Sequence, residues 1–535
     1  MNKKNYLTFS PELNFSELDH IVIGSGIGGL TAATWLAKAG KKVAVFEYHN
    51  KPGGFTHSFK RGQNFKWDVG VHYVGNVSKE GSLRRLFDFL SNYKLDWEYM
   101  GDVYDVVHIK EKVYEIKAGK EFFRKQMISY FPDEELAINN YLKLIDKANK
   151  MGNMFFFEKA LTPVLSHSIG RIIRKLYARY SQKTTLEVLS QLTSNKRLIS
   201  VLCAQCGNYG LSPKYSSFAA HALIVGHFME GGYYPIGGAE QIANNILETI
   251  NKFGGKVYIN AEVDEIVTEK NRVKGIRIKD KFIACNSVIS NVGVNNTFNH
   301  LLSEKAKLRC GIDFRQVKPS IGHMCLYVGL DKSDIELKLP KHNIWSFNSD
   351  NFDNIIDEIT LKNIAKNFAY ISFPSAKDPA WATKHPGKAT IQAVSVAHYD
   401  WFSEYAEQSC MKRDKSYMSI KQEFQDSMLM QLYTLFPQII GHVIVTEVST
   451  PLSTKHFLKY QNGEIYGLAH TPERFQLPFL RPETKIKGLR LVGQDITLVG
   501  VAGAMLSGMI CVIPILKWRV WKLFREMAQR DKMTK

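Results

Sequence analysis

Three glycines raise the first chemical question. Gly24, Gly26 and Gly29 stand at the spacing G-x-G-x-x-G, after an apolar run at 20–23 and before a helical pattern over about 30–38. Gly24 permits a tight strand-to-helix turn, Gly26 lets backbone approach a pyrophosphate, and Gly29 lets helix pack on strand. Phosphates then meet the free N–H groups and the positive dipole end of that helix. A second strand at 43–46 delivers Glu47, 18 residues past Gly29. A carboxylate there accepts hydrogen bonds from an adenosine ribose and repels a 2′-phosphate. Strand, helix and acid together specify a dinucleotide site, with NAD and FAD both open.

Other residues with chemical potential follow. Gly53 and Gly54 allow close backbone approach to something flat or charged. Asp68, Gly70, His72 and Tyr73 form a polar and aromatic group at the end of an extended run, where His72 is either functional or a satisfied core histidine. Tyr233, Tyr234 and Pro235 lie between glycine pairs in a stiff aromatic turn that either walls a pocket or is only a packed loop. Cys203 and Cys206 have redox or metal spacing, but no second pair or histidine cluster completes a zinc site, so two buried thiols are expected and no metal. After Asp495, residues 496–516 carry no charge, which by length alone reads as a membrane span. Gly500, Gly503 and Gly508 crowd this segment as close packing requires, so it reads as a buried helix entering a cofactor site.

These groups need a scaffold, and 535 residues with 45% apolar content are enough for two or three domains. Helical periodicity dominates 110–225, which reads as an insertion or lid. Short strands are expected at 256–259, 261–268, 272–279 and 282–289. Between 310 and 470, strands at 323–328 and 390–396 alternate with helices such as 411–435, giving a second, mixed domain. Seventy basic against 51 acidic residues give a net charge of +19, a field that favours polyanions. Nucleic acid is not expected, because no recognisable module is present. Arg171, Arg174, Lys175 and Arg179 alternate with apolar residues over 171–183, and Lys517, Arg519, Lys522 and Arg525 with tryptophans over 517–525. Both stretches suit the headgroup layer of an anionic leaflet. Seven scattered cysteines make no disulfide framework, and 1–16 lacks an apolar core, so no cleavable secretory signal is expected. Localisation is expected to be cytoplasmic and peripheral on a membrane.

Several stretches carry a family resemblance: DVGVHYVGN at 68–76, the run from Asn208 through Tyr233 and Tyr234 to Gly238, FPSAKDPAW at 373–381, YDWFSEY at 399–405 and VGQDITLVGVAGA at 492–504. They resemble the carotenoid desaturase and isomerase branch of the two-domain FAD-dependent oxidoreductases, and within it the retinol saturases. The resemblance covers nearly the whole chain. It departs where the family's Gly-Gly-Cys-Cys-His reads Gly53-Gly-Phe-Thr-His57, losing both thiols and keeping the histidine. It departs also in lacking the secretory signal of the animal members, so residence in the endoplasmic reticulum does not carry over.

The resemblance implies an α/β fold: a Rossmann-like FAD-binding domain, as in amine oxidases and phytoene desaturases, with a mixed α+β substrate domain and a helical lid. Segments of the FAD domain are expected at 17–110, 226–305 and 481–516, the lid at 111–225, the substrate domain at 306–480 and a basic amphipathic tail at 517–535. The implied FAD site comprises Gly24, Ser25, Gly26, Ile27, Gly28, Gly29, Glu47, Tyr48, Gly53, Gly54, His57, Val263, Gly493, Asp495 and Val501. The implied activity is saturation of one double bond of a conjugated isoprenoid by reduced FAD, all-trans-retinol to 13,14-dihydroretinol, with NAD(P)H a candidate electron donor. His72, Tyr73, Tyr233 and Tyr234 are candidates for the flavin face and for proton delivery. Desaturation or cis–trans isomerisation of longer carotenoids on the same scaffold is the alternative. A non-catalytic prenyl-lipid escort is a remoter one, opposed by the intact nucleotide motif.

Overall fold

The computed structural model describes residues 4–15, 17–62, 65–316, 318–352 and 357–530. The glycine motif forms as its spacing requires. Strand Leu18–Ile23 ends in Gly24, whose φ of +89° makes the turn, and helix Ile27–Lys38 follows with Gly26 as its N-cap. Helix Ile27–Lys38 is buried over nearly its whole length, so its apolar residues face packing on all sides rather than on one stripe. Strand Val43–Phe46 lies parallel to Leu18–Ile23, and Lys256–Ile259 lies beyond it. On the other side runs Lys281–Ser290, whose second half is flanked by Leu18–Ile23 and Leu489–Leu491, both parallel to it. Its first half turns back on Arg272–Ile278 as an antiparallel hairpin. Among the described residues this sheet has eight strands. The α/β nucleotide-binding architecture expected from the sequence is present.

A second sheet, of seven strands among the described residues, runs in the order 443–449, 322–330, 389–397, 368–372, 343–347, 103–109, 112–117. It corrects two expected boundaries. Strand Val103–Ile109 falls within the segment expected for the nucleotide domain, but it pairs in parallel with Asn343–Phe347 and hence belongs to the second sheet. The start of the assigned lid, Lys112–Lys117, is its hairpin partner. The helices that follow, among them Glu135–Glu158, Pro163–Ser181 and Phe218–Phe228, share one apolar core with this sheet. The expected strand at 261–268 is shorter, Glu265–Glu269, because 261–264 turns aside to line a cavity.

The uncharged C-terminal segment forms helix Gly500–Leu516, packed against Ile27–Lys38. A methyl group on Gly508 would stand 2.4 Å from the Gly28 carbonyl oxygen, so the two helices meet backbone to backbone. Among the described residues no helix is long and apolar enough to cross a membrane. The tail is no free extension: helix Arg519–Arg530 buries Val520 and Leu523 on the nucleotide domain, and Phe524 packs 5.0 Å from Trp35. Trp518 and Trp521 stay exposed, and 531–535 lie outside the described residues.

Candidate functional site

A cavity of about 1530 Å³ runs between the two sheets. Pockets for one small molecule are typically about 300–1,000 Å³, so this one has room for a dinucleotide and a second ligand. One wall is backbone. Gly24, Gly26, Ile27 and Gly28 line it from the start of the first helix, and Gly493, Gly500, Val501 and Ala504 from the last helix and the loop before it. Neither helix N-terminus has a side-chain cap, so both direct unpaired N–H groups towards the cavity. Three chain segments crowd together here. A methyl on Gly28 would lie 3.0 Å from Gly493 N and 3.0 Å from Ala504 O; one on Gly26 would lie 2.7 Å from Asn291 Nδ2. Gly29 does not reach the cavity; it lets the helix close on its own turn, since a methyl there would stand 2.3 Å from Gly24 O.

Glu47 lines the cavity, and both its oxygens are anchored. Oε2 accepts from Ser25 N at 2.8 Å and from Ser25 Oγ at 2.5 Å, while Oε1 accepts from His49 N at 2.8 Å. Ser25 therefore orients the acid rather than facing the cavity itself, and its Oγ also accepts from Gly53 N. Gly53 and Gly54, both at positive φ, bring the second loop alongside Gly26, and Tyr48 and Val263 complete this side. His57 is set back from the cavity, its Nδ1 bonded to Gly54 O, and burial lowers its pKa to about 4. Asp495 lines the cavity and joins two loops, accepting from Val294 N at 2.8 Å and Leu468 N at 2.9 Å. A glycine-walled groove at two helix N-termini, with an acid one strand further along, fits FAD.

The opposite wall is a face of the seven-stranded sheet. His323, Cys325, Val394, Val396, Phe368, Tyr370 and Trp345 line the cavity from four neighbouring strands, with His72 above them, its ring 5.0 Å from that of Tyr370. Burial first, and Lys377 second, push the His72 imidazole down to about 3; burial alone brings His323 to about 4. Both rings are uncharged at neutral pH. Behind them lies a fully buried polar chain. Lys377 Nζ donates to His72 O at 3.1 Å, to Ser372 Oγ at 2.7 Å and to Asn343 Oδ1; Asn343 Nδ2 donates to Asp105 Oδ1 at 3.0 Å. Burial raises the Asp105 carboxyl to about 6 and lowers Lys377 to about 7.

Of the four catalytic candidates, His72 alone reaches the cavity. Tyr73 points the other way, stacking 4.1 Å from Phe228 and donating to Asp105 Oδ2 at 3.0 Å. Tyr234 donates to buried Asp68 on the far side of the loop. Tyr233 pairs with Tyr99, partly exposed, in a small separate sheet. Burial raises the pKa of Tyr73 and Tyr234 well above 10, so neither is an acid of useful strength. Sequence reasoning missed Asn291, which bridges the glycine wall, and Arg474, which donates to the carbonyls of Leu468, Gln494 and Asp495 and fixes the loop before the last helix. It missed His323 and Tyr370 too, whose one local signal was a polar residue inside an apolar strand.

Comparison with known proteins agrees with this geometry. Residues 27–512 match the family model for flavin-containing amine oxidoreductases. The all-trans-retinol 13,14-reductase of Danio rerio is 33% identical over 94% of this chain and 86% of its own length. A chloroplastic prolycopene isomerase of Daucus carota is 25% identical over 92% of this chain and 79% of its own. The solved structure of cyclohexylamine oxidase from Brevibacterium oxydans shares the fold, with a TM-score of 0.60 at 14% identity, covering 92% of this chain and 96% of that one.

Proposed function

Because the chain belongs to the flavin-containing amine oxidoreductase family, we propose that it reduces one carbon–carbon double bond of a conjugated isoprenoid, converting all-trans-retinol to 13,14-dihydroretinol. It is an FAD-dependent oxidoreductase. The observation that carries the substrate reading is the second wall: an apolar sheet face holding only neutral polar groups, in a cavity with space beyond the dinucleotide. FAD held by the glycine wall and Glu47 would, when reduced, supply the hydride. The chain's own residues orient and enclose. Cys325, Val394, Val396, Phe368 and Trp345 take up an apolar polyene, exclude water and align the reacting bond, which needs few charged groups. His72 does not hold an extra proton at neutral pH and so is not the acid for the second hydrogen, and a conjugated chain lowers the acidity this step demands. The test is anaerobic: photoreduce the FAD-loaded protein, add all-trans-retinol, and follow flavin reoxidation with product mass. Reoxidation with a gain of two hydrogens supports the reading. An unchanged mass with altered geometry points to isomerisation, and a loss of two hydrogens with oxidised enzyme points to desaturation; either overturns it. NAD(P)H is the candidate donor, checked by whether it bleaches the oxidised flavin.

Peripheral attachment to an anionic membrane on the cytoplasmic side belongs to the same proposal. Helix Pro163–Ser181 exposes Ile169, Ile172 and Leu176 among Arg171, Lys175 and Arg179, and the last helix exposes Trp518 and Trp521 among basic residues. The seven cysteines are thiols, not disulfides, as in a reducing compartment. The double variant Ile169→Asp, Ile172→Asp should lower co-sedimentation with phosphatidylserine vesicles about tenfold while leaving FAD content intact; undiminished binding would rule out this surface.

A further inference from the structure

Four consecutive carbonyls ahead of the last helix are held by two cations from different parts of the chain. Buried Arg474, in the turn Glu473–Gln476, donates to Gln494 O at 2.7 Å, Asp495 O at 3.0 Å and Thr497 O at 3.3 Å. Lys159 caps the C-terminus of helix Glu135–Glu158 and supplies the carbonyl left over, donating to Ile496 O at 2.6 Å and to Leu480 O at 2.7 Å. The residue is half-buried, but its ammonium is turned in against Leu480 and Ile496, which are buried. Gln494 and Asp495 line the cavity, as do Gly500 and Val501 at the start of the last helix, and neither cation does. The two charges therefore stand behind a loop whose other side forms the cofactor wall. Charged donors are costly to place there, and neutral ones would serve the carbonyls equally well. Neither cation is ion-paired among the described residues. Glu158 is taken by Arg174 at 2.5 Å and by Ser166, and Asp495 by Val294 N and Leu468 N. The rings of Phe155 and Phe156 lie 5.2 and 5.5 Å from the Lys159 ammonium, and Arg481 brings a further positive charge 3.8 Å from Glu158. Lys159, Arg474, Arg481 and Arg174 outnumber Glu158 and Asp495, so net positive charge remains behind the loop.

We propose that Lys159 and Arg474 are positioning residues for the redox state of the cofactor: they hold the carbonyls of 494–497 away from the cavity and supply positive charge that favours reduced over oxidised FAD. This rests on the FAD-dependent reading above and is independent of which polyene is reduced. Two electrons and one proton turn the neutral oxidised isoalloxazine into an anionic hydroquinone. Reduction thus adds one negative charge to the site, and positive charge nearby lowers the cost of adding it. The helical insertion, which carries Lys159, thereby takes part in setting the potential of a cofactor bound by another domain.

The test uses the FAD-loaded full chain. The midpoint potential is read by dithionite titration against a reference dye, and affinity for oxidised FAD by titrating the apoprotein. Both are measured at pH 6, where Lys159 carries its proton: burial, then the charges of Arg474 and Arg481 against that of Glu158, bring it to about 7. Lys159→Met keeps the stem, and Lys159→Gln keeps a donor without the charge. Each should shift the balance from reduced to oxidised FAD about tenfold, a fall of about 30 mV for a two-electron couple. Affinity for oxidised FAD should change by less than about threefold. Lys143→Met, which removes an exposed charge from the same helix, should leave the potential where it is. A merely structural role gives a different pattern, weaker binding of both forms at an unmoved potential, and that result overturns the assignment. An equal shift in Lys143→Met overturns it too, as does loss of FAD from both Lys159 variants, since the lysine would then serve binding alone. A shifted potential without any reduction of retinol by wild type upholds these roles and overturns the proposed reaction. Reduction of retinol with an unmoved potential does the reverse.

Discussion

The two walls of the cavity recognise by different means. The nucleotide wall works with backbone: helix N-termini, glycines in contact with other backbone, and one acid held by Ser25 and His49. The substrate wall works with side chains drawn from four strands between 322 and 397 and from the loop at 70–76. A glycine wall is hard to adjust residue by residue, because an added methyl strikes main chain at Gly28, Gly29 and Gly54 and the Asn291 side chain at Gly26. A side-chain wall can be rewritten without moving a strand. Side chains on the second wall can therefore change while the glycine wall stays as it is.

The largest effect that comparison predicts comes from Gly29→Ala, where the new methyl meets Gly24 O. The purified variant should lack flavin, with FAD affinity lowered by about a hundredfold or more, read from the flavin-to-protein absorbance ratio. Full retention of FAD would break the backbone account. Next is Lys377→Met, which removes the donor to His72 O, Ser372 Oγ and Asn343 Oδ1. It should cost about 2–4 kcal/mol in urea unfolding while FAD content is kept, because the damage is confined to the side-chain wall. Asp105→Asn sharpens the same point through pH. Burial raises the Asp105 carboxyl from 3.8 to about 6, so the folded protein holds that proton more tightly than the unfolded chain. Its contribution is full below pH 3.8 and is lost as pH rises through about 6; the substitution should remove on the order of 2 kcal/mol of that slope, measured by denaturation at pH 4 and pH 7. The smallest effect is expected from Asn291→Ala, whose side chain lies against Gly26, Gly28 and Gly493: about tenfold weaker FAD binding in a normally folded protein. If it abolished binding as Gly29→Ala does, the nucleotide wall would depend on side chains after all.

The same contrast explains what the sequence disclosed. The nucleotide wall begins with a local motif, and Gly24 to Glu47 could be read because turn, helix and acid lie within one supersecondary unit. The substrate wall is assembled by strand register, which a single sequence does not announce. Tyr73 was misjudged for a simple reason. It follows His72 at a bend before strand Val74–Gly75, where the two side chains part, His72 to the cavity and Tyr73 to the core. Tyr233 and Tyr234 belong to a strand paired with 74–75 and 97–99, away from the cavity altogether. The domain boundary at 110 failed likewise, because the parallel pairing of Val103–Ile109 with Asn343–Phe347 spans well over two hundred residues.

Strand Leu18–Ile23 is made early, yet one of its two neighbours is Lys281–Ser290, which is itself covered by Leu489–Leu491, and the helix after the glycine loop receives its partner only at Gly500–Leu516. At about 5–20 residues per second of synthesis, the interval between first and last pieces is on the order of half a minute to a minute and a half. Until then the sheet lacks its Leu489–Leu491 strand and the first helix lacks one of the elements that cover it. The first-made strand and helix thus reach their full set of neighbours only after strand Leu489–Leu491 and helix Gly500–Leu516 have been synthesised.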